Sequence, residues 1–301
     1  MEFVRYSSIE NTYRDKAIDA CHQLAIKDWV ALEKVDGANF SFIVNEDNNL
    51  TVASRNGLIE QSPDGFYDFF GCTDVVNKYA EKMKKLSAFI GKPIRVYGEL
   101  YGSGIQKRIP YGDKDFIIFD IQCTDGTYLP WKLLNIVCRE FNLPVVKQLA
   151  YGTLNEMLQV SPEFTSVLCD ALAEGLVIKP ADSNLLLSTG SRPILKHKSK
   201  AFSETKSKVS KPSVELDTET SKTLEILLSF ITTNRLHNVL SKFGEVTQRD
   251  FGKVLGLLIQ DALEDFHKDF NPMSKEDWQT TKRMVNNHAA AVVRQEWSNI
   301  I

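Results

Sequence analysis

Residues 33–40 read Glu33-Lys34-Val35-Asp36-Gly37-Ala38-Asn39-Phe40. A lysine amine attacks phosphorus only through a free lone pair, and an ordinary pKa near ~10.4 leaves it almost wholly protonated at neutral pH. A site using Lys34 as a nucleophile must surround it with other cations or a metal ion, which favour the neutral amine. If 29–36 is an extended strand, Lys34 and Asp36 share a face. Gly37 then lets the chain turn tightly beside a ligand. Taken by itself, Lys-x-Asp-Gly is also what a surface lysine next to a turn looks like.

Five further groups follow in order. Ser54-Arg55-Asn56-Gly57 lies about 20 residues on, at the end of an apolar alternation. Val96-Tyr97-Gly98-Glu99-Leu100 places a carboxylate at a strand end. Asp115-Phe116-Ile117-Ile118-Phe119-Asp120 is a strand with an aromatic near its end. Glu174-Gly175-Leu176-Val177-Ile178-Lys179-Pro180 is another, and Ile194-Leu195-Lys196-His197-Lys198 puts two lysines on one strand face. Cations, isolated carboxylates and an aromatic are the side chains a nucleotide site needs.

The elements that must carry them are legible from periodicity. Period-two apolar runs at 29–35, 40–44, 50–54, 94–100, 115–121, 175–180 and 193–198 predict strands. Helical spacing appears over 10–27, 73–90, 131–141 and 165–173. The second of these stops at Gly91-Lys92-Pro93. The mixture predicts an antiparallel-rich α+β domain rather than a βαβ repeat. Residues 199–214 are Ser/Lys-rich and poor in core residues, and beyond them the pattern is helical to residue 301. Thr247-x-x-Asp250 and Ser274-x-x-Asp277 resemble capping boxes, and Leu255, Leu258, Ile259 and Leu263 form an apolar stripe. The expected division is a domain over 1–214 followed by a smaller all-helical domain over 215–301.

Composition excludes several classes. The chain has 301 residues, 43% hydrophobic, which suffices for two cores. Net charge is −3, so nucleic-acid binding would have to use a local basic surface. Residues 192–211 carry seven Lys or Arg and one Glu; such a run fits either a track for a phosphate backbone or a solvated linker. The five cysteines are odd in number and form no CxxC pair, which argues against a disulfide framework and a structural zinc site and favours a reducing, intracellular setting. The five histidines make no cluster with ligand spacing. No signal peptide or membrane-spanning run is visible, and a monomer is expected.

Taken in order, the six charged groups resemble the signature motifs of the covalent nucleotidyltransferase superfamily. Further strings resemble the phage RNA ligase 2 family of ATP-dependent RNA ligases, which includes the RNA-editing ligases. These are Tyr6-Ser7-Ser8-Ile9-Glu10-Asn11, Gly104-Ile105-Gln106-Lys107, Tyr111-Gly112-Asp113-Lys114-Asp115-Phe116 and, in the tail, Ser241-Lys242-Phe243-Gly244-Glu245 and Asp250-Phe251-Gly252-Lys253. Two positions depart from the phage pattern: Asp36 stands where that enzyme has His, and Ser54 where it has Lys.

The resemblance implies an adenylyltransferase domain over 1–214 and a helical domain over 215–301 that engages an RNA nick. It implies Lys34 as the residue that takes AMP from ATP, with Lys196 and Lys198 neutralising phosphate charge. Glu99 would receive the ribose hydroxyls and Phe119 would stack on adenine, unless Phe119 is plain core. Glu33, Val35 and Asn39 would flank the nucleotide, and Arg55 and Lys179 would contact phosphates. Glu174 would ligate Mg2+, or Mn2+ in its place, unless it is a turn residue. The substrate would be RNA with 3′-OH and 5′-phosphate ends in a nicked duplex. Arg235, Lys242, Arg249 and Lys253 are the candidate RNA contacts of the tail. A DNA ligase or capping enzyme would be expected to follow Lys198 with a β-barrel, whereas this tail reads as helices. A non-catalytic RNA-binding protein on a ligase scaffold would be expected to lose the charged motif residues.

Overall fold

A computed structural model of the chain describes residues 2–203 and 218–301. By its packing the chain divides into two units, Met1–Ala201 and Phe202–Ile301. The expected boundary at residue 214, and residues 204–211 of the basic run, lie outside the described residues.

The first unit is built on two five-stranded sheets. Its elements are β1 (Glu10–Asn11), α1 (Asp15–His22), β2 (Trp29–Lys34), β3 (Ala38–Val44), β4 (Leu50–Ser54), β5 (Leu58–Ile59), α2 (Thr73–Ile90), β6 (Ile94–Tyr101), β7 (Asp115–Cys123), α3 (Trp131–Glu140), β8 (Gln148–Gly152), α4 (Leu154–Gln159), β9 (Gly175–Pro180) and β10 (Leu195–Lys198). One sheet runs β1-β10-β9-β2-β8, the other β5-β4-β3-β6-β7. Every pairing is antiparallel except β1 with β10.

β2 belongs to the first sheet and β3 to the second, so residues 35–37 carry the chain across. This is the segment just after Lys34. Gly37 is required there, because a Cβ would sit 2.3 Å from the Leu100 carbonyl oxygen and 2.8 Å from Glu99 Cγ. The crossing is therefore pressed against the end of β6.

Each sheet has its own apolar packing. Trp29, Ala31, Leu176, Ile178 and Leu195 of the first sheet pack with Leu154 and Met157 of α4 and Cys21 of α1. On the second, the rings of Phe42 and Phe116 meet edge-on at 5.0 Å, and Tyr79 of α2 closes on Phe42 at 6.4 Å. Edge-to-face pairs of this kind add to the area that burial removes from water. α2 ends at Gly91 in the left-handed region (φ 73°), as the Gly-Lys-Pro stop predicts.

Two expected helices differ. The span 10–27 holds only α1, because Glu10 and Asn11 pair with β10. The span 165–173 is a narrow hairpin, with Thr165 bridged to Leu172 and Ser166 N–H bonded to the Ala171 carbonyl. The Ser166 hydroxyl accepts from Leu168 N–H, a local bond that competes with helix.

The second unit is helical: α5 (Thr218–Phe230), α6 (Thr233–Phe243), α7 (Phe251–Asp269) and α8 (Lys275–Ile300). The Thr247–Asp250 capping box forms, and the Ser274 hydroxyl accepts from Asp277 N–H at the start of α8. Leu258 is fully buried in the core, with Leu255, Ile259 and Leu263 packed against it. Arg235 corrects the expected set of RNA contacts. It is buried, and its guanidinium bridges Asp261 (2.6 Å) and Asp265 (2.8 Å) while donating to the Phe230 carbonyl (2.7 Å). A cation so enclosed holds helices together rather than meeting a phosphate. No helix of the described residues is long and apolar enough to cross a membrane.

Candidate active site

Three strand ends place the central charges. Lys34 closes β2 and stands opposite Gly175, the first residue of β9; Gly175 in turn stands opposite Lys198, the last of β10. Glu174 precedes β9 and so enters between the two lysines. Its Oε2 receives Lys34 Nζ at 2.6 Å and its Oε1 lies 2.7 Å from Lys198 Nζ. Gly175 has φ 144°, and a Cβ there would lie 2.2 Å from the His197 carbonyl oxygen. Only glycine lets β9 and β10 close at this point. Burial pushes the Glu174 carboxyl up, but Lys198, Lys34 and Arg108 outweigh it and hold it down to about 2. Lys196 lies two residues before Lys198, on the same strand face.

Glu99 comes to the same place from the second sheet, paired across β3–β6 with Asn39. Burial pushes its carboxyl up to about 8; Lys34 pulls it down, while Glu174 and Asp36 push it further up. At neutral pH Glu99 therefore carries a proton and can both give and accept hydrogen bonds, which suits a pair of hydroxyls.

Arg55 sits in the turn after β4. Arg5 Nε donates to its carbonyl at 3.1 Å and Arg5 Nη2 to Asn56 Oδ1 at 2.8 Å. Ser54, the departure from the phage pattern, shapes the same turn: its hydroxyl accepts from Asn56 N–H and donates to the Gly57 carbonyl. A hydroxyl here organises the loop rather than adding charge.

Phe119 is the extra residue of a β-bulge, because Tyr97 opposes Asp120 while Gly98 opposes Ile118. The bulge frees its ring from strict alternation. The ring is half-buried and meets Tyr6 edge-on at 4.9 Å. Below it lies a network that sequence reasoning missed. Asp120, fully buried, receives Lys179 Nζ (2.8 Å), Arg192 Nη2 (2.7 Å) and Tyr6 Oη (2.7 Å). Burial pushes the Asp120 carboxyl up, but Lys179 and Arg192 hold it below the usual range. A charged residue in an otherwise apolar strand was the available signal, since such a group is buried only with partners.

Lys179 is placed in this network. The resemblance implies a phosphate contact, yet its ammonium is buried, paired to Asp120, donating to the Phe119 carbonyl at 2.9 Å and lying 5.3 Å over the Trp131 ring. It fixes the backbone under Phe119. Glu33 is held by the hairpin. Its carboxylate is buried and accepts from Ser166 Oγ (2.5 Å) and Val167 N–H (3.2 Å), so it anchors residues 164–173. Val35 is buried at the crossing, and Asn39 is half-buried near the start of β3.

The residues present fit a divalent cation of the hard, oxygen-binding kind. Among the described residues no three His, Cys, Asp or Glu gather into a self-sufficient cage. Glu174 is an ionised carboxylate amid cations, and an ion held by one carboxylate plus phosphate oxygens matches this donor set. Four of the five cysteines, Cys21, Cys72, Cys123 and Cys138, are buried thiols.

A lysine at a sheet-to-sheet crossing, with Lys198, Glu174 and Glu99 brought beside it from the two sheets, is the arrangement a nucleotidyltransferase-type fold provides. Solved structures agree on the fold: a Naegleria gruberi RNA ligase variant with ATP and Mn superposes with a TM-score of 0.52 at 19% identity, covering 67% of this chain and 58% of that one. Another variant of the same ligase, with AMP and Mn, gives 0.53 at 20% identity over 66% of this chain and 57% of that one. Among curated proteins, the mitochondrial RNA-editing ligase 1 of Trypanosoma brucei brucei is 24% identical, covering 86% of this chain and 74% of that protein. The RNA ligase family model matches residues 27–198, and the T4 RNA ligase 2 C-terminal model matches 214–291. The chain belongs to the RNA ligase family, in the branch of ATP-dependent RNA ligases that carry this helical C-terminal domain.

Proposed function

We propose that the chain seals nicks in duplex RNA, joining a 3′-OH to an adjacent 5′-phosphate through an AMP adduct on Lys34. The observation that carries this reading is the placement of Lys34 Nζ beside Glu174 and Lys198, at the mouth of three strands.

Three substitutions at phosphorus complete the reaction. Lys34 Nζ bonds to the α-phosphorus of ATP and pyrophosphate leaves. An oxygen of the RNA 5′-phosphate then bonds to that phosphorus, the P–N bond breaks, and the lysine amine is restored. Last, the 3′-OH attacks the 5′-phosphorus and AMP leaves. In the resting arrangement Nζ donates to Glu174. A carboxylate held near 2 takes no proton at neutral pH, so the proton lost by Lys34 goes to solvent or to pyrophosphate. Lys196 and Lys198 face the phosphate charge that develops during each step. Glu99 receives the ribose hydroxyls, Phe119 lies against the base, and Arg55 offers a planar fork to a phosphate. Glu174 would hold a divalent ion, Mg2+ or Mn2+, which when bound neutralises phosphate oxygens. Lys242, Arg249 and Lys253 of the helical unit remain candidate RNA contacts.

The test is direct. Purified protein is mixed with α-labelled ATP and a divalent salt, then run on a denaturing gel. Label should stay with the protein, require the salt, and vanish in Lys34→Ala. Nicked RNA, nicked DNA and hybrid duplexes are then compared for sealing. Sealing of all-DNA nicks alone would overturn the RNA assignment.

A further inference from the structure

The segment between β6 and β7, residues 102–114, holds two side chains whose contacts converge on Asp36. Arg108 Nη2 donates to Asp36 Oδ1 at 2.5 Å and Nε to Oδ2 at 3.1 Å. Asp36 N–H donates to Tyr111 Oη at 3.1 Å. The side chains of the ion pair are only 14% and 4% exposed. The segment is itself firmly seated. The Tyr111 ring meets Tyr101 edge-on at 5.3 Å, and Gly102 at φ 102° leaves no room for a Cβ, which would lie 2.3 Å from the Asp113 carbonyl oxygen. Arg108 thus grips, side chain and backbone together with Tyr111, the residue two positions after the nucleophile.

Asp36 lies in the crossing segment and feels both Glu174 and Lys34. Burial and the Glu174 charge disfavour its ionised form, and Arg108 opposes them. Were Arg108 absent, Lys34 would be a cation still acting on Asp36. Its amine would then be drawn from the Glu174–Lys198 row toward Asp36, out of line with a phosphorus bound there. We infer that Arg108 is a positioning residue for adenylyl transfer: by holding the Asp36 carboxylate and the 35–37 crossing, it keeps the Lys34 amine aimed at the α-phosphorus. It holds Asp36 by direct contact, and its charge also steadies the Glu174 carboxylate beside Lys34. A planar guanidinium meets both carboxylate oxygens at once, which an ammonium cannot do.

The inference rests on Lys34 adenylylation, and the experiment keeps the two apart. Lys34–AMP formation is followed in single turnovers of the full chain over a range of ATP concentrations. Arg108→Ala should lower the rate at saturating ATP about 10- to 100-fold, as a misaimed nucleophile does, with the half-saturating ATP concentration held within about threefold. Arg108→Lys should fall between wild type and Arg108→Ala at the same half-saturating ATP. A wild-type rate in Arg108→Ala would overturn the inference while leaving the function intact. So would a loss confined to half-saturation, which would make Arg108 a ligand of the substrate phosphates. If Arg108→Ala fails to fold, as judged by its thermal melt, Arg108→Lys decides: a slowed step with unchanged half-saturation supports the role, and a wild-type rate refutes it. Absence of label in the wild type would overturn the proposed function itself.

Discussion

Replacing Asp120 by Ala removes the anion shared by Lys179 and Arg192 while leaving both cations in place. Their side chains are 2% and 5% exposed, so water cannot take over from the lost carboxylate. Breaking a buried ion pair from one side costs about 3–5 kcal/mol. Here two cations are stranded and the Tyr6 hydroxyl loses its acceptor, so a total of about 4–6 kcal/mol is expected, with incomplete additivity. That approaches the whole stability of many domains, roughly 5–15 kcal/mol. Asp120→Asn keeps an acceptor oxygen and loses only charge, so about half that loss is expected. The assay is urea unfolding followed by tryptophan fluorescence, since Lys179 lies 5.3 Å over the Trp131 ring. With a slope near ~2–3 kcal/mol/M, Asp120→Ala should lower the midpoint by about 1.3–3 M. The folded carboxyl titrates below its ordinary range. On acidification the unfolded chain therefore takes the proton first, so this stabilisation is present at neutral pH and is lost as pH falls below about 4. Asp120→Asn should flatten that acid limb. A midpoint within about 0.3 M of wild type for Asp120→Ala would refute the reasoning.

Two further outcomes are expected. Because burial pushes the Glu99 carboxyl up to about 8, the folded chain keeps a proton that the unfolded chain has released, and wild-type stability should fall as pH rises from about 4.3 to 8. Glu99→Gln, neutral throughout, should gain on wild type by on the order of a few kcal/mol across that window; a difference independent of pH would remove burial as the cause. In the helical unit, Arg235→Ala removes a buried guanidinium and leaves Asp261 and Asp265 to Lys242 and Lys268, and should cost about 2–3 kcal/mol in thermal unfolding. Loss of RNA sealing with an unchanged melt would instead place Arg235 at the substrate.

Much of the site was legible because strand alternation encodes faces. Lys196 and Lys198 at period two, Glu99 at a strand end and Gly37 after Lys34 were each readable as local pattern. The strand runs held for the same reason: apolar alternation fixes which side meets the core, and register follows. The helix expected over 165–173 failed because its apolar spacing carried no information about Glu33. That carboxylate lies 133 residues earlier, and it takes the Ser166 hydroxyl and the Val167 N–H. Pattern predicts a helix where nothing else competes; a distant buried acid competes.

The same limit explains why the partners of Lys179, Glu33 and Arg235 were not legible. Sequence gives a cation its type and its face but not the neighbour that face will meet. Lys34 and Lys179 both stand on strands of one sheet, yet Lys34 finds Glu174 at the strand mouth and Lys179 finds Asp120 in the interior. The difference follows from position along the strand. Lys34 is the last residue of β2, whereas Lys179 lies near the far end of β9, under the bulge that turns Phe119. A cation at a strand mouth can face solute, and one beneath a bulge must be neutralised from within. The charges therefore divide by partner and place: Lys34, Lys198 and Glu174 meet where β2, β9 and β10 begin or end, while Asp120, Lys179 and Arg192 hold the bulge that presents Phe119. Substitutions in the Asp120 set should act on the fold first and on adenylylation through it, whereas Lys34→Ala, at the more open end of the other set, should abolish adenylylation with little change in the urea midpoint.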